Sequence, residues 1–181
     1  TAGRGEVRRY VSRGGDVVHA LEKFKKKKKK IFVLTNSEFH YTKLLMDFAI
    51  NPFLKQHTSW VDLFELVVAF AEKPKFFYDD LRFLKVDPIT GTMTNMEEKL
   101  SRGVYQGGNA RKFTSDLGLD GDDILYIGDH IYGDILRLKK DCNWRTGMII
   151  EELEQEIQQN RAAEPMTNEI ESLMNKKEPL E

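Results

Sequence analysis

Three short apolar runs, each leading into polar or charged residues, constrain this chain more than any other feature. They are Ile31-Phe32-Val33-Leu34 before Thr35-Asn36-Ser37, Leu66-Val67-Val68-Ala69-Phe70 before Glu72-Lys73-Pro74-Lys75, and Ile124-Leu125-Tyr126-Ile127 before Gly128-Asp129-His130. Continuous runs of this length, without polar alternation, are the pattern of strands covered on both faces. Helical spacing separates them. Val17, Val18, Leu21 and Phe24 mark one helix, and Leu44, Leu45 and Phe48 a second that Asn51-Pro52 closes. Residues 109–117 form a third, with Gly118 as its C-cap, and residues 132–140 a fourth. Residues 83–86 and 92–94 flank Asp87-Pro88-Ile89-Thr90-Gly91 and read as a hairpin, and 146–150 as a further short strand. Buried strands alternating with helices predict a mainly parallel sheet with right-handed crossovers, a three-layer α/β domain.

The 181 residues are 40% hydrophobic and 31% charged, enough for one core and unlike a disordered or collagen-like chain. A lone cysteine, Cys142, excludes an internal disulfide framework and a multi-cysteine zinc site. No apolar run approaches the roughly 18–20 residues of a membrane span, and the polar, basic start is not a signal peptide, so no membrane partner is expected. The expected location is the cytoplasm. The chain begins on Thr1 rather than Met, which reads as a piece of something longer.

Charge is balanced overall, at a formal net of -1, which argues against a dedicated nucleic-acid binder. Locally it is lopsided. Residues 1–30 hold eleven Lys/Arg against three acids, and residues 151–181 hold nine Glu against three cations. The six lysines Lys25 to Lys30 read either as a nucleic-acid, anionic-membrane or nuclear-import patch or as a solvated helix end where cations complement the dipole. The acidic segment reads as a helical tail interrupted at Pro165, giving a division into a core over residues 1–150 and an acidic helical tail over 151–181.

In parallel sheets, ligands bind at the carboxyl ends of the strands. Thr35, Asn36 and Ser37 there offer a phosphate cradle, or equally a helix N-cap. Lys73 offers a cation for phosphate, or an ordinary surface lysine. Asp129, directly after a buried run, suits Mg²⁺, or caps the next helix. Asp134 is placed to hold a metal-bound water or orient Lys73, or is a helix-surface acid. Gly128 permits close approach of a ligand or metal to the backbone. His130 reads as a neutral neighbour rather than a ligand. Together these residues are the inventory of phosphoryl chemistry.

The segments Phe32-Val33-Leu34-Thr35-Asn36-Ser37, Lys73-Pro74 and Tyr126-Ile127-Gly128-Asp129-His130-Ile131-Tyr132-Gly133-Asp134-Ile135-Leu136 resemble three of the four motifs of the haloacid dehalogenase (HAD) superfamily. Their wording is similar to that of the cytosolic purine 5'-nucleotidase family, which favours IMP and GMP. Trp144-Arg145-Thr146 and the hairpin at Val86-Asp87 to Gly91 share the likeness, which runs from about Arg9 to Glu156. The resemblance implies a Rossmann-like HAD core with a small β-hairpin insertion. It implies a Mg²⁺-dependent phosphohydrolase acting on purine nucleoside monophosphates through an aspartyl-phosphate. Thr35, Asn36 and Ser37 would bind the phosphate oxygens, and Lys73 would stabilise the developing charge. Asp129 would ligate Mg²⁺, and Asp134 would support the metal or Lys73. The resemblance leaves a homo-oligomer open.

The family's first motif, a strand followed by Asp-x-Asp-x-Thr that supplies the nucleophile, has no match here. Asp120-Gly121-Asp122-Asp123 precedes a strand, Asp87-Pro88-Ile89-Thr90 lies in the hairpin turn, and Asp16-Val17-Val18 opens a helix. The expectation is the later part of a catalytic domain, inactive alone, with a sheet that lacks its nucleophile-bearing strand. Two alternatives stand beside it: another HAD phosphatase or phosphotransferase, and a non-catalytic phosphate-binding module.

Overall fold

The computed structural model describes Val11 and residues 13–177, so the basic start over residues 1–10 and the last four residues of the acidic segment lie outside the described part. Helix α1 (Gly15–Lys26) opens with Asp16 in its first turn and closes with Lys23, Lys25 and Lys26 in its last, charges that both oppose the helix dipole. The lysine run is thus in part the end of a helix, and Lys25 reaches the carbonyl of Asp62. Strand β1 (Phe32–Leu34) follows, then α2 (Phe39–Ala49), which starts earlier than the apolar spacing predicts. Short 3-10 turns at Asn51–Phe53 and Trp60–Leu63 lead into β2 (Leu66–Ala69). A one-turn helix, α3 (Lys75–Tyr78), precedes the antiparallel hairpin β3 (Phe83–Val86) and β4 (Met93–Asn95). After it come β5 (Gly103–Gly107), α4 (Ala110–Leu117) and β6 (Leu125–Gly128). A π-helical turn (Ile131–Leu136) runs into α5 (Arg137–Cys142), β7 (Arg145–Met148) and α6 (Leu153–Lys177).

Five strands form one sheet in the order β1-β2-β5-β3-β4, and β6 and β7 form a second, parallel pair. Strands β1, β2 and β5 run parallel, and β3 joins β5 antiparallel, so the hairpin extends the sheet. The architecture is a mainly parallel, Rossmann-like α/β sheet with helices on both faces. Strand β2 shows why. Its four residues are all buried, and they alternate between two cores. Leu66 and Val68 face a cluster with Phe76, Phe113 and Trp144, whereas Val67 and Ala69 face one with Val18, Phe39 and Trp60.

The sequence reading departs from the structure at four places. Strand β5 is bounded by glycines and holds only Val104 and Tyr105 as apolar residues, so no apolar run marks it in the sequence, yet it bridges β2 to the hairpin. Strand β1 has cores on both faces, with Phe32 and Leu34 toward one and Val33 toward the other, whereas β6 is covered on one face only. Each pairs on one side only among the described residues, and Leu125 and Ile127 are each 57% exposed. The last strand lies over 145–148, because its register is set by pairing with β6 rather than by apolar content. Helix α6 runs through Pro165, at the loss of one intrahelical hydrogen bond.

Candidate functional site

The polar residues after β1, β2 and β6 gather at one end of the sheet. The loop after β1 is tied to the loop after β2 by the main chain: Phe70 N donates to Ser37 O at 2.9 Å, and Ala71 N to Thr35 O at 3.0 Å. Phe70 and Glu72 both take left-handed backbone conformations, with φ of 44° and 54°, which side chains larger than glycine rarely adopt. Lys73 follows directly, and its side chain reaches Tyr126 on β6 and Asp134.

Asn36 grips the same residue. Its Oδ1 accepts from Lys73 N at 2.6 Å and its Nδ2 donates to Lys73 O at 2.9 Å. Both ends of the amide are therefore spent on positioning Lys73. Thr35 Oγ1 accepts from Ser37 N at 3.1 Å, which leaves its O–H free to donate. The Thr35 and Ser37 side chains sit half-buried beside this loop. None of the three residues caps α2, whose N-cap is Glu38.

Lys73 is not a surface lysine. Its side chain is 12% exposed, and Nζ donates to Asp134 Oδ1 at 2.6 Å and to Tyr126 Oη at 2.7 Å. Asp134 is 4% exposed, so it is no helix-surface acid either. Burial disfavours the Asp134 charge. The Lys73 ammonium, the Tyr126 hydroxyl and the His130 N–H together outweigh it and hold the carboxyl below its usual range. The π-helical turn aims Asp134 inward, and His130 caps it by accepting from Gly133 N at 2.9 Å. His130 rather than Asp129 is thus the cap.

Gly128 has the close approach that its type suggests, but from the protein itself. The nearest atoms to a Cβ there belong to the Asp134 side chain. Asp129 stands exposed at the end of β6, and no hydrogen bond or ion pair holds its carboxylate among the described residues. An open carboxylate at a strand end is one hard-oxygen ligand of the kind Mg²⁺ takes with waters and substrate phosphate. No group of three or more His, Cys, Asp and Glu side chains that could hold a metal occurs among the described residues. Asp129 therefore fits one corner of such a site and the other ligands are not its neighbours.

Tyr126 escaped the sequence reading, which took it as one apolar residue of a strand. The available signal was its hydroxyl, since a tyrosine in a buried run needs a hydrogen-bond partner. A groove of about 610 Å³ between Tyr78, Arg111 and Trp144 shares no residue with this site. No helix among the described residues is long and apolar enough to cross a membrane.

The sequence model of the 5' nucleotidase family matches residues 4–181. Human 5'-nucleotidase domain-containing protein 2 is 33% identical over 154 residues, covering 84% of this chain and 28% of the human protein. The chain therefore spans less than a third of that relative's length.

Proposed function

Because the chain belongs to the 5' nucleotidase family, we propose that the protein containing it removes the 5'-phosphate of purine nucleoside monophosphates, IMP and GMP, in the cytoplasm. The observation that carries this reading is the buried Lys73–Asp134 pair at 2.6 Å, with Lys73 in the loop after β2 that the main chain ties to the Thr35–Ser37 loop after β1. A buried cation next to hydroxyl donors is what a phosphoryl group needs, because catalysis of its transfer is mostly positioning and charge neutralisation.

In this reading the residues divide the work as follows. Thr35 and Ser37 donate to phosphate oxygens through their hydroxyls, since their main-chain N–H groups already serve the Val68 carbonyl and Thr35 Oγ1. Asn36 serves that site, with its amide holding the Lys73 backbone in place. Lys73 neutralises charge that builds on the phosphate, and Asp134 keeps the ammonium aimed. Asp129 would hold Mg²⁺, which when bound supplies Lewis-acid polarisation of the phosphate. The aspartate nucleophile, and the aspartyl-phosphate it would form, come from an Asp-x-Asp motif outside residues 1–181. The open sides of β1 and β6 leave a place for the strand that carries it.

The test is turnover of IMP, GMP, AMP and p-nitrophenyl phosphate by the complete protein, with and without Mg²⁺, beside Asp129→Asn. Mg²⁺-dependent release of phosphate from IMP and GMP, lost in Asp129→Asn, is the expected result. Equal rates on all four substrates would replace the purine assignment with a general HAD phosphatase. Phosphate binding without turnover would make the protein a binding module, and normal turnover by Asp129→Asn would sink the metal assignment.

A further inference from the structure

Tyr126 occupies a position that neither its strand nor its ring packing requires. The ring packs against Phe32, Phe77 and Trp144, at centroid separations of 6.3, 6.3 and 6.4 Å, and a phenylalanine would do the same. The hydroxyl does something else. It accepts from Lys73 Nζ at 2.7 Å and lies 3.1 Å from Asp134 Oδ1, to which Lys73 Nζ also donates at 2.6 Å. The Leu34 carbonyl, at the end of β1, lies 3.5 Å from the same hydroxyl. Lysine, tyrosine and aspartate thus close a ring of three hydrogen bonds, and each comes from a different segment of the chain.

An ammonium has three N–H donors and turns freely unless they are engaged. A single carboxylate partner leaves the other two to rotate about the Nζ–Cε bond. A second partner, the Tyr126 oxygen, fixes the rotor and leaves one N–H in a defined direction. The phenol suits this task because burial, foremost, and the charge of Asp134 push its proton affinity up, so it remains a hydroxyl that can donate to Asp134 while accepting from Lys73.

We propose that the Tyr126 hydroxyl is the positioning group of Lys73, holding the ammonium so that its one unengaged N–H serves an oxygen of a bound phosphate. The proposal rests on the reading of Lys73 as the phosphate-facing cation. Tyr126 touches no substrate in this account and acts only through Lys73. Misdirecting a charged donor by about an ångström lowers turnover by about 10²-fold, whereas ground-state binding suffers less.

The experiment uses the complete protein with Tyr126→Phe, which keeps the ring and deletes the hydroxyl. Phe32→Leu serves as the control, since it loosens the packing on the same ring and keeps the hydroxyl. Two quantities are read: kcat and KM with a phosphomonoester, and the Lys73 ammonium signal in ¹H–¹⁵N spectra, which persists only while the ammonium is held and sheltered from exchange. The expected result is a fall in kcat of about 10–100-fold in Tyr126→Phe, with KM changed by less than about threefold and the ammonium signal lost. Phe32→Leu should keep the signal and most of kcat. Unchanged kcat and a retained signal in Tyr126→Phe would overturn the proposal, as would an equal loss in Phe32→Leu. If the wild-type protein turns over no phosphomonoester, the functional reading fails by itself, and the ammonium signal still decides whether Tyr126 holds Lys73.

Discussion

An alanine at position 128 would set its Cβ 2.6 Å from Asp134 Oδ2 and 2.7 Å from that residue's Cβ and Cγ, closer than side-chain contacts allow. The Asp134 carboxylate has no free direction to retreat, because Lys73, Tyr126 and the His130 N–H already hold it. Gly128→Ala should therefore cost about 1–3 kcal/mol by overpacking, read as a lower urea midpoint with unchanged slope. A neutral outcome would show that Asp134 moves aside without loss. A second buried carboxylate sits far from this site. Glu22 is 2% exposed, and its Oε1 accepts from Lys55 N, Gln56 N and His57 Nδ1. Burial disfavours its charge, but these donors outweigh burial and hold its carboxyl below the ordinary glutamate value of 4.5. A depressed native value means that the unfolded chain binds the proton more tightly. The contribution is present above the ordinary value and disappears as pH falls below it through the native one. Glu22→Gln should lower stability at neutral pH and flatten the acid limb of the midpoint below that value. An acid limb as steep as the wild type's would assign acid sensitivity to other carboxylates.

Helix α4 shows how one side chain organises an element and its neighbour together. Asn109 Oδ1 accepts from Lys112 N at 2.8 Å, which caps the helix. Its Nδ2 donates to Asp80 Oδ1 at 3.0 Å and to the Leu81 carbonyl at 2.9 Å, which ties the segment before β3 to the helix start. Gly118 closes the other end in the left-handed conformation. The Gly118 cap was legible from residue type alone, because capping is local chemistry, whereas Asn109, read as the first helical residue, is the N-cap one position before it. Asn109→Ala should cost about 2 kcal/mol, the upper end for a lost N-cap, and Asn109→Asp should recover part of it by keeping the acceptor. A loss below about 0.5 kcal/mol by urea unfolding would mean that water replaces the cap. Helix α6 behaves otherwise. It is exposed along its whole length, so no packing opposes or rewards the missing N–H of Pro165, and the helix continues where the residue type alone predicts a break.

At the scale of the molecule, the sheet is in two pieces. Strands β1 and β6 approach through Phe32 and Tyr126, and each has one unpaired side among the described residues. Leu125 and Ile127 look outward on one side of β6, where a continuous sheet would bury them. On the Lys73 side the polar groups are a buried cation, the Thr35 hydroxyl and the open carboxylate of Asp129, and no group of three or more His, Cys, Asp and Glu side chains that could hold a metal occurs among the described residues. The 181-residue chain should show no phosphomonoesterase turnover when assayed with IMP and p-nitrophenyl phosphate, with and without Mg²⁺. Phosphate release by the chain alone would place the nucleophile within it.

The residues themselves determined the alternation of strands and helices, the Gly118 cap, and which strand ends carry polar groups, since all of these depend on neighbours within a few positions. Tertiary structure decided the rest. It made β5 a strand, because the parallel edge of β2 and the antiparallel edge of β3 both pair with it although its own residues are mostly glycine and polar. It turned Lys73 and Asp134 from two ordinary surface charges into a buried pair. Their contact spans 61 residues of chain and exists only because three strands end side by side. It also gave the Tyr126 hydroxyl its partners. A side chain's polarity is written in the sequence, but which groups satisfy it is settled only when distant segments pack together.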